Sequence, residues 1–248
     1  IVTFTGSAHT GNLLRTSPRI VNENVTFNLE ADSLNASILG EKAVPGTVEF
    51  DLFIKEVTKE ITIKAGQKCT SVRRIIVPEN LIDEVQAAVS KRLASTAIGD
   101  PAAEGVRMGA LATKTQVDRV KENVALLQQS QEIVFGDVDN FEVIGADREK
   151  GAFISPILFR NDDPFHKTAV HDIECFGPVS TIMPYKNLDD AIEVARMGKG
   201  SLVSSIVTPC DKEATDYVLG AATMHGRILV LNEKSAKEST GHGSPMPL

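Results

Sequence analysis

The chain has 248 residues, 42% of them hydrophobic, and its 33 acidic residues outnumber its 26 basic ones to give a net charge of −7. This length and composition predict a globular protein with a substantial core, arranged as one large or two modest domains. The acidic balance argues against a nucleic-acid partner, because phosphate binding requires clustered lysine and arginine. No apolar run approaches the roughly 20 residues that cross a bilayer, so we expect a cytoplasmic protein without a membrane partner.

The cysteines and histidines do not form the patterns of structural metal sites or disulfide frameworks. The cysteines are odd in number and widely separated, without a CxxC pair, and the histidines lack metal-ligand spacing. We therefore expect reduced thiols and no metal site. The residues are Cys69, Cys175 and Cys210, and His9, His166, His171, His225 and His242.

The chain begins with a strand-like run at residues 1–4, which leads through Gly6 and Ser7 into an expected helix. Such a helix start directs backbone N–H groups and a positive dipole end towards a phosphate. Because strand, glycine and helix often follow one another, a purely structural turn is the alternative. A second strand-like run, residues 25–27, precedes Glu30, whose carboxylate is either a solvated group or a base.

Cys69 lies on a short turn between two regular segments. Residues 40–50 indicate a connector, a helical-looking run follows, and Gly66-Gln67-Lys68-Cys69-Thr70 then precedes an apolar strand at residues 73–78. Gly66 permits a tight turn, in which the Cys69 N–H can face an oxyanion. Covalent oxidation of an aldehyde requires at least two functional groups, a thiolate that adds to the carbonyl and a carboxylate that activates water. The alternative is that Cys69 is a small buried residue.

Helices and strands alternate through the rest of the chain. Apolar residues recur at helical spacing in residues 82–93, 117–127, 188–195 and 214–221, the last with Asp211 as the expected N-cap. Short, continuously apolar runs predict strands at residues 153–159, 179–183, 202–207 and 228–231. This alternation predicts an α/β layer structure with a largely parallel sheet.

The segment Glu174-Cys175-Phe176-Gly177-Pro178-Val179 carries an acid and an aromatic residue just before a predicted strand. A carboxylate binds ribose hydroxyls well, and Phe176 can pack on a flat ring. The alternative is a plain loop that ends at Gly-Pro. We interpret Cys175 and Cys210 as packing residues, and a hydrolase that pairs Cys69 with a histidine stays open.

In their order and approximate spacing these segments resemble the aldehyde dehydrogenase superfamily over essentially the whole chain. The segments are Phe4-Thr5-Gly6-Ser7, Glu30, Gly66-Gln67-Lys68-Cys69, Gly99-Asp100-Pro101, Met108-Gly109, Glu174-Cys175-Phe176-Gly177-Pro178-Val179 and Leu231-Asn232. The resemblance implies an aldehyde dehydrogenase catalytic domain at residues 40–233, with three layers and a largely parallel sheet. Residues 1–39 would be the C-terminal remnant of a Rossmann-like dinucleotide-binding domain. Residues 234–248 would start a segment returning to the cofactor and oligomerisation region.

The same resemblance implies roles for individual side chains. Cys69 would be the nucleophile, and Glu30 would activate the water that cleaves its thioester. Glu174 would hold the nicotinamide ribose of NADP or NAD, and Phe176 would flank the ring. Gly6-Ser7 would begin the helix that touches the dinucleotide.

A narrower resemblance concerns two stretches, residues 29–35 and 238–245. Most of the superfamily has Leu-Gly-Gly after the glutamate, whereas this chain has Ala31-Asp32, as in the dehydrogenase domain of PaaZ-type bifunctional proteins of phenylacetate degradation. That similarity implies a homo-oligomer that uses NADP to oxidise a CoA-linked semialdehyde from aromatic ring cleavage, 3-oxo-5,6-dehydrosuberyl-CoA semialdehyde, to the free acid. The BoxD-type semialdehyde dehydrogenases of benzoyl-CoA degradation are the alternative.

Both ends of the chain look cut, which predicts a fragment of a longer protein that is inactive alone. A cysteine thioesterase or hydrolase that needs no nucleotide is the competing hypothesis from another class. Dependence of turnover on NADP distinguishes the two.

Overall fold

The computed structural model describes residues 1–237, 239 and 241–243, and the chain divides into two compact units, Ile1–Ser33 and Leu34–Leu248. The predicted boundary after residue 39 is therefore too late, because the strand before it pairs on both sides with strands of the larger unit. The identity of the smaller unit as part of a cofactor domain stays a prediction. Within the predicted last segment and the 238–245 motif, positions 238, 240 and 244–248 lie outside the described residues.

The smaller unit is a two-stranded parallel sheet with two short helices. Its elements are β1 (Val2–Gly6), α1 (Ala8–Arg15), α2 (Pro18–Asn22) and β2 (Phe27–Ala31). The predicted strand, Gly-Ser turn and helix are confirmed, with Ser7 as the N-cap of α1. The second strand extends further than predicted, so Glu30 lies inside β2 and opposite Thr5 of β1.

The larger unit is built on a seven-stranded sheet with the order β5-β6-β7-β4-β3-β8-β9. Its strands are β3 (Ala36–Leu39), β4 (Arg74–Pro78), β5 (Glu132–Phe135), β6 (Ile157–Arg160), β7 (Val179–Tyr185), β8 (Ser204–Val207) and β9 (Ile228–Leu231). All neighbours are parallel except β5 and β6, which are antiparallel. The predicted α/β class with a largely parallel sheet is confirmed.

Helices cover both faces of this sheet. They are α3 (Val48–Thr62), α4 (Ile82–Ala94), α5 (Lys114–Leu127), α6 (Leu188–Arg196) and α7 (Asp211–Ala221). The four helices predicted from periodicity correspond to α4 to α7. The predicted N-cap of α7 was wrong by one residue: the cap is Cys210, and Asp211 is the first helical residue.

The core lies in layers on either side of the sheet because successive strand residues point to opposite faces. Ile75 of β4 packs with Phe53 of α3 and Val85 of α4, whereas its neighbour Ile76 packs with Val194 of α6. The larger unit is therefore a helix, sheet and helix sandwich. Among the described residues, no helix is long and apolar enough to span a membrane.

The four central strands β7, β4, β3 and β8 are parallel neighbours, so their amino ends meet at one edge of the sheet. Gly177-Pro178 precedes β7, the turn with Cys69 precedes β4, Asn35 precedes β3 and Val203 precedes β8. Segments that are far apart in the sequence thus converge at this edge. The candidate nucleophile lies among them.

Candidate active site

The turn that leads from α3 to Cys69 has an unusual backbone. Lys64, Ala65 and Gly66 follow one another with φ values of 53°, 51° and 69°, all in the left-handed region. This conformation costs a non-glycine residue roughly 1–2 kcal/mol, so surrounding contacts must maintain it. The sequence predicted a tight turn at Gly66, and the structure extends it back to Lys64.

Gly66 packs against the backbone of Gly177. A Cβ atom at Gly66 would lie 2.1 Å from the Gly177 carbonyl oxygen, so only glycine fits. Gln67 adds a hydrogen bond from Nε2 to the Phe176 carbonyl at 3.3 Å, and its Oε1 accepts from the Ala112 N–H at 2.8 Å. These contacts bring together the cysteine turn and the Phe-Gly-Pro segment, the two motifs that the sequence analysis identified separately.

Arg73 links the same two segments from inside the protein. Its Nη1 donates to the Gly177 carbonyl at 2.6 Å and its Nη2 to the Gly66 carbonyl at 2.8 Å. Burial lowers the pKa of the guanidinium, while Glu174, whose Oε1 is 3.5 Å from Nε, raises it. The guanidinium also lies 5.7 Å from the centre of the Phe176 ring. The sequence analysis missed Arg73, which it treated as the start of an apolar strand.

Cys69 presents its side chain at the surface. It is a free, exposed cysteine, whereas its carbonyl oxygen points inward and accepts a hydrogen bond from Asn35 Nδ2 at 2.8 Å. The alternative that Cys69 is a small buried residue was therefore wrong. Cys175 is buried in the core with a pKa raised to about 12 by burial, which confirms it as a packing residue, and Cys210 is half-buried.

The lysine next to Cys69 is engaged elsewhere. Lys68 Nζ lies 2.7 Å from a carboxylate oxygen of Glu60, which is almost completely buried. Burial raises the pKa of Glu60, and the hydrogen bond from Lys68 opposes this. The pair holds the Lys68 side chain in the protein interior, so Lys68 and Cys69 point in different directions.

Gly6, Ser7 and Glu30 lie together in the smaller unit. Gly6 and Ala31 are partners at the carboxyl ends of the two parallel strands, with Glu30 exposed one residue before. Ser7 caps α1 by accepting from the Thr10 N–H at 3.3 Å. The smaller unit thus contains these three candidate residues, and the larger unit contains Cys69 with Glu174 and Phe176.

Asp32 explains the departure from Leu-Gly-Gly. Its φ is 35°, a conformation that suits glycine and that aspartate tolerates better than most residues. Its Oδ1 accepts from the Ala8 N–H of α1 at 3.0 Å. The substitution therefore keeps the turn and adds a carboxylate at the start of α1.

Three histidines of the larger unit, two buried and one half-buried, are engaged through Nδ1 with groups other than Cys69. Their Nδ1 atoms contact Arg74 at 3.1 Å, Ser201 at 2.7 Å and Ser205 at 2.9 Å. Burial lowers the pKa values to about 4, about 4 and about 3, so all three rings are neutral near pH 7. The residues are His171, His225 and His242. The Cys-His hydrolase stays the competing hypothesis, and turnover without nucleotide is its test.

Comparison with known proteins relates this geometry to a family. The sequence matches the model of the aldehyde dehydrogenase family over residues 1–240. It is 44% identical over 247 residues to the 3,4-dehydroadipyl-CoA semialdehyde dehydrogenase of Aromatoleum evansii, covering 100% of this chain and 48% of that protein. It is 43% identical over 141 residues to protein MaoC of Klebsiella aerogenes, covering 56% of this chain and 40% of that protein.

A solved structure shows the same fold. The crystal structure of betaine aldehyde dehydrogenase from Staphylococcus aureus in complex with NAD+ matches with a TM-score of 0.81 at 20% sequence identity. The match covers 92% of this chain and 43% of that one. The chain therefore spans about half the length of the curated relatives and solved structures that it matches.

Proposed function

This chain belongs to the aldehyde dehydrogenase family, and we propose that the protein of which it is part oxidises an aldehyde to a carboxylic acid through a thioester on Cys69. The observation that carries the proposal is the exposed thiol of Cys69 on an ordered turn. The close contact of Gly66 and the two hydrogen bonds from Arg73 hold this turn against the segment around Phe176. A nucleophile held in one geometry on a rigid scaffold is what covalent catalysis requires.

The proposed chemistry has two stages, acylation of Cys69 and hydrolysis of the thioester. The Cys69 thiolate adds to the aldehyde carbonyl, the tetrahedral adduct loses hydride, and an acyl thioester remains on the sulfur. Glu30 then takes a proton from water, whose oxygen attacks the thioester carbonyl, so that the carboxylic acid leaves and the thiol is restored. An exposed carboxylate on β2 suits this task because it is accessible to water.

The hydride acceptor in this proposal is NADP or NAD, which supplies an oxidised nicotinamide ring when bound. Phe176 is exposed beside the nucleophile turn and offers a flat apolar surface for such a ring. Glu174 lies two residues away, oriented by the positive charge of Arg73, and its carboxylate suits the ribose hydroxyls. Gly6 and Ser7, at the start of α1, are the proposed contacts to the rest of the dinucleotide. NADP is the preferred form in this proposal, on the narrower resemblance alone.

The proposed substrate is a CoA-linked semialdehyde that results from cleavage of an aromatic ring. The resemblance to PaaZ-type proteins in residues 29–35 and 238–245 favours 3-oxo-5,6-dehydrosuberyl-CoA semialdehyde. The alternative is 3,4-dehydroadipyl-CoA semialdehyde, because the relative named for that activity is similar over the full length of this chain. The retained Glu30 favours a free acid as the product in both cases.

The test is nucleotide reduction by the full-length protein with each of the two semialdehydes and with NADP or NAD. We expect Cys69→Ala to abolish turnover, Glu30→Gln to accumulate an acyl-enzyme detectable by mass spectrometry, and Cys210→Ala to leave turnover unchanged. Turnover that survives in Cys69→Ala, or that proceeds without nucleotide, would overturn the proposal. The ratio of kcat/KM for the two semialdehydes decides between the substrates.

A further inference from the structure

The side chain of Asn35 joins three separate parts of the amino-end edge of the sheet. It is completely buried, just before β3. Its Nδ2 donates to the Cys69 carbonyl at 2.8 Å and to the Ser71 carbonyl at 2.9 Å. Its Oδ1 accepts from the Val203 N–H at 3.1 Å. One amide group therefore connects the cysteine turn to the segment that leads into β8.

The backbone of Asn35 holds the end of the same turn. Its carbonyl oxygen accepts from the N–H groups of Arg73 at 3.0 Å and Arg74 at 3.1 Å. Residues 67–73, all of them in the described part of the chain, lie outside any helix or strand. The geometry of this stretch therefore depends on bonds such as these rather than on a regular hydrogen-bond ladder.

These contacts have a direct effect on the orientation of the thiol. A hydrogen bond to the Cys69 carbonyl fixes the peptide plane that follows Cys69, and the carbonyl points inward while the side chain is exposed. Without that bond, the peptide can rotate and the direction of the Cα–Cβ bond changes with it. A displacement of about 1 Å at a reacting atom costs on the order of a hundredfold in rate.

The chemistry of the side chain matters as much as its location. Two N–H donors and one carbonyl acceptor are all engaged, and an asparagine amide supplies this combination. Aspartate would place a negative charge against the carbonyl oxygens of Cys69 and Ser71. Serine could donate one hydrogen bond where Asn35 donates two.

We propose that Asn35 is a positioning residue that sets the orientation and reactivity of the Cys69 thiol. This inference rests on the proposed role of Cys69 as the nucleophile, but it can be tested without aldehyde or nucleotide. Asn35 touches no reacting atom in this proposal and acts only through the turn.

The experiment measures the rate of Cys69 alkylation by iodoacetamide as a function of pH in the full-length protein, resolved by mass spectrometry of the peptide that contains Cys69. The variants are Asn35→Ala and, in case that protein does not fold, Asn35→Ser. The matched control is Asn161→Ala. Asn161 is also buried, and its amide also forms two hydrogen bonds: its Nδ2 donates to the Lys167 carbonyl at 2.9 Å and its Oδ1 accepts from the Asp163 N–H at 3.0 Å. It follows β6, away from the cysteine turn.

We expect Asn35→Ala to change the alkylation rate at pH 7 by about tenfold or more and to shift its pH profile, with Asn35→Ser intermediate. The nucleotide-dependent kcat should fall in parallel while the KM for nucleotide changes less than about twofold. Asn161→Ala should leave the alkylation profile as in the wild type even if it lowers the melting temperature. A wild-type alkylation profile in a folded Asn35 variant overturns the inference. Altered alkylation in a full-length protein that shows no dehydrogenase activity supports it and contradicts only the proposed function.

Discussion

Gly66 and Gly177 approach each other so closely that a Cβ atom on Gly66 would lie 2.1 Å from the Gly177 carbonyl oxygen. This contact joins the turn that carries Cys69 to the segment that carries Phe176, although more than a hundred residues separate them in the sequence. The relative position of the thiol and the aromatic ring therefore depends on a glycine at position 66.

We predict that Gly66→Ala lowers the free energy of unfolding by more than about 3 kcal/mol, because the left-handed φ of 69° and the clash with backbone act together. Urea denaturation of this chain measures the change. Gly46→Ala is the matched control, because its φ is 92° but no described atom lies within 4 Å of the new Cβ. It should lose only about 1 kcal/mol, the cost of the backbone conformation. Equal losses in the two variants would contradict the importance of the Gly66 contact.

Arg73 fastens the same two segments through its guanidinium, which donates to both carbonyls. Lysine keeps the charge but cannot span two acceptors, so we predict that Arg73→Lys costs about 3 kcal/mol of stability. It should also lower kcat in the full-length protein, since Phe176 and Glu174 lose their common neighbour.

The control for this prediction is Arg160→Lys. Arg160 pairs with Asp83 at 2.5 Å and with Asp162 at 2.7 Å, two carboxylates that are largely exposed to solvent. Exposed pairs contribute little, so the loss should stay below about 1 kcal/mol. A larger loss at Arg160 than at Arg73 would show that the two hydrogen bonds from the buried Arg73 guanidinium do not stabilise the fold as we infer.

His171 predicts a dependence of stability on pH. Its ring contacts Arg74 through Nδ1 and the Pro164 carbonyl through Nε2 at 2.9 Å, and burial, followed by the charge of Arg74, lowers its pKa from 6.5 to about 4. Because the folded-state pKa is the lower one, the unfolded chain binds the proton first as the pH falls. The contribution is complete above pH 6.5 and is lost as the pH falls towards 4, by about 3 kcal/mol in total.

The variant His171→Gln keeps a donor and an acceptor but does not titrate. The slope of unfolding free energy against pH between 6.5 and 4 is proportional to the number of protons taken up on unfolding. In this variant that number should be smaller by roughly one. An unaltered slope in His171→Gln would mean that another group controls the acid sensitivity.

The sequence predicted the regular elements better than the side chains that hold the site. Periodicity located α4 to α7 because one face of each helix packs on the sheet, and the four buried residues of α4 are those that the pattern indicated. The run predicted as one strand at residues 153–159 forms a strand only from Ile157, since Pro156 cannot donate to a ladder and the N–H of Ile157 bonds to the Pro178 carbonyl.

Arg73 and Arg74, at the start of β4, gave no signal in the sequence. Arg74 is completely buried in an otherwise apolar strand, where its guanidinium donates to the carbonyls of Leu34, Val194 and Ala195. Burial lowers its pKa to about 10. The last two carbonyls belong to the C-terminal turn of α6, and the strand order that brings this turn to β4 is not encoded in any local pattern. The motifs around Cys69 and Phe176 were recognised one by one, but their contact depends on that same order.

Asp32 leads to a prediction about the nucleotide. Its carboxylate accepts from the Ala8 N–H at the start of α1, at the positive end of the helix dipole. A phosphate bound at the same helix end would be attracted by the dipole and repelled by the Asp32 carboxylate. If α1 contacts the dinucleotide phosphates as proposed, Asp32→Asn keeps an oxygen acceptor and removes the repulsion. We expect the Kd of NADP for the full-length protein to fall by roughly two- to fivefold at low salt, equivalent to about 0.3–1 kcal/mol, and the gain to shrink as salt is added. Asp51→Asn, at an exposed acidic residue in the first turn of α3, should leave the Kd unchanged. Calorimetric titration measures both, and a weaker or unchanged affinity in Asp32→Asn would mean that α1 does not face the phosphates.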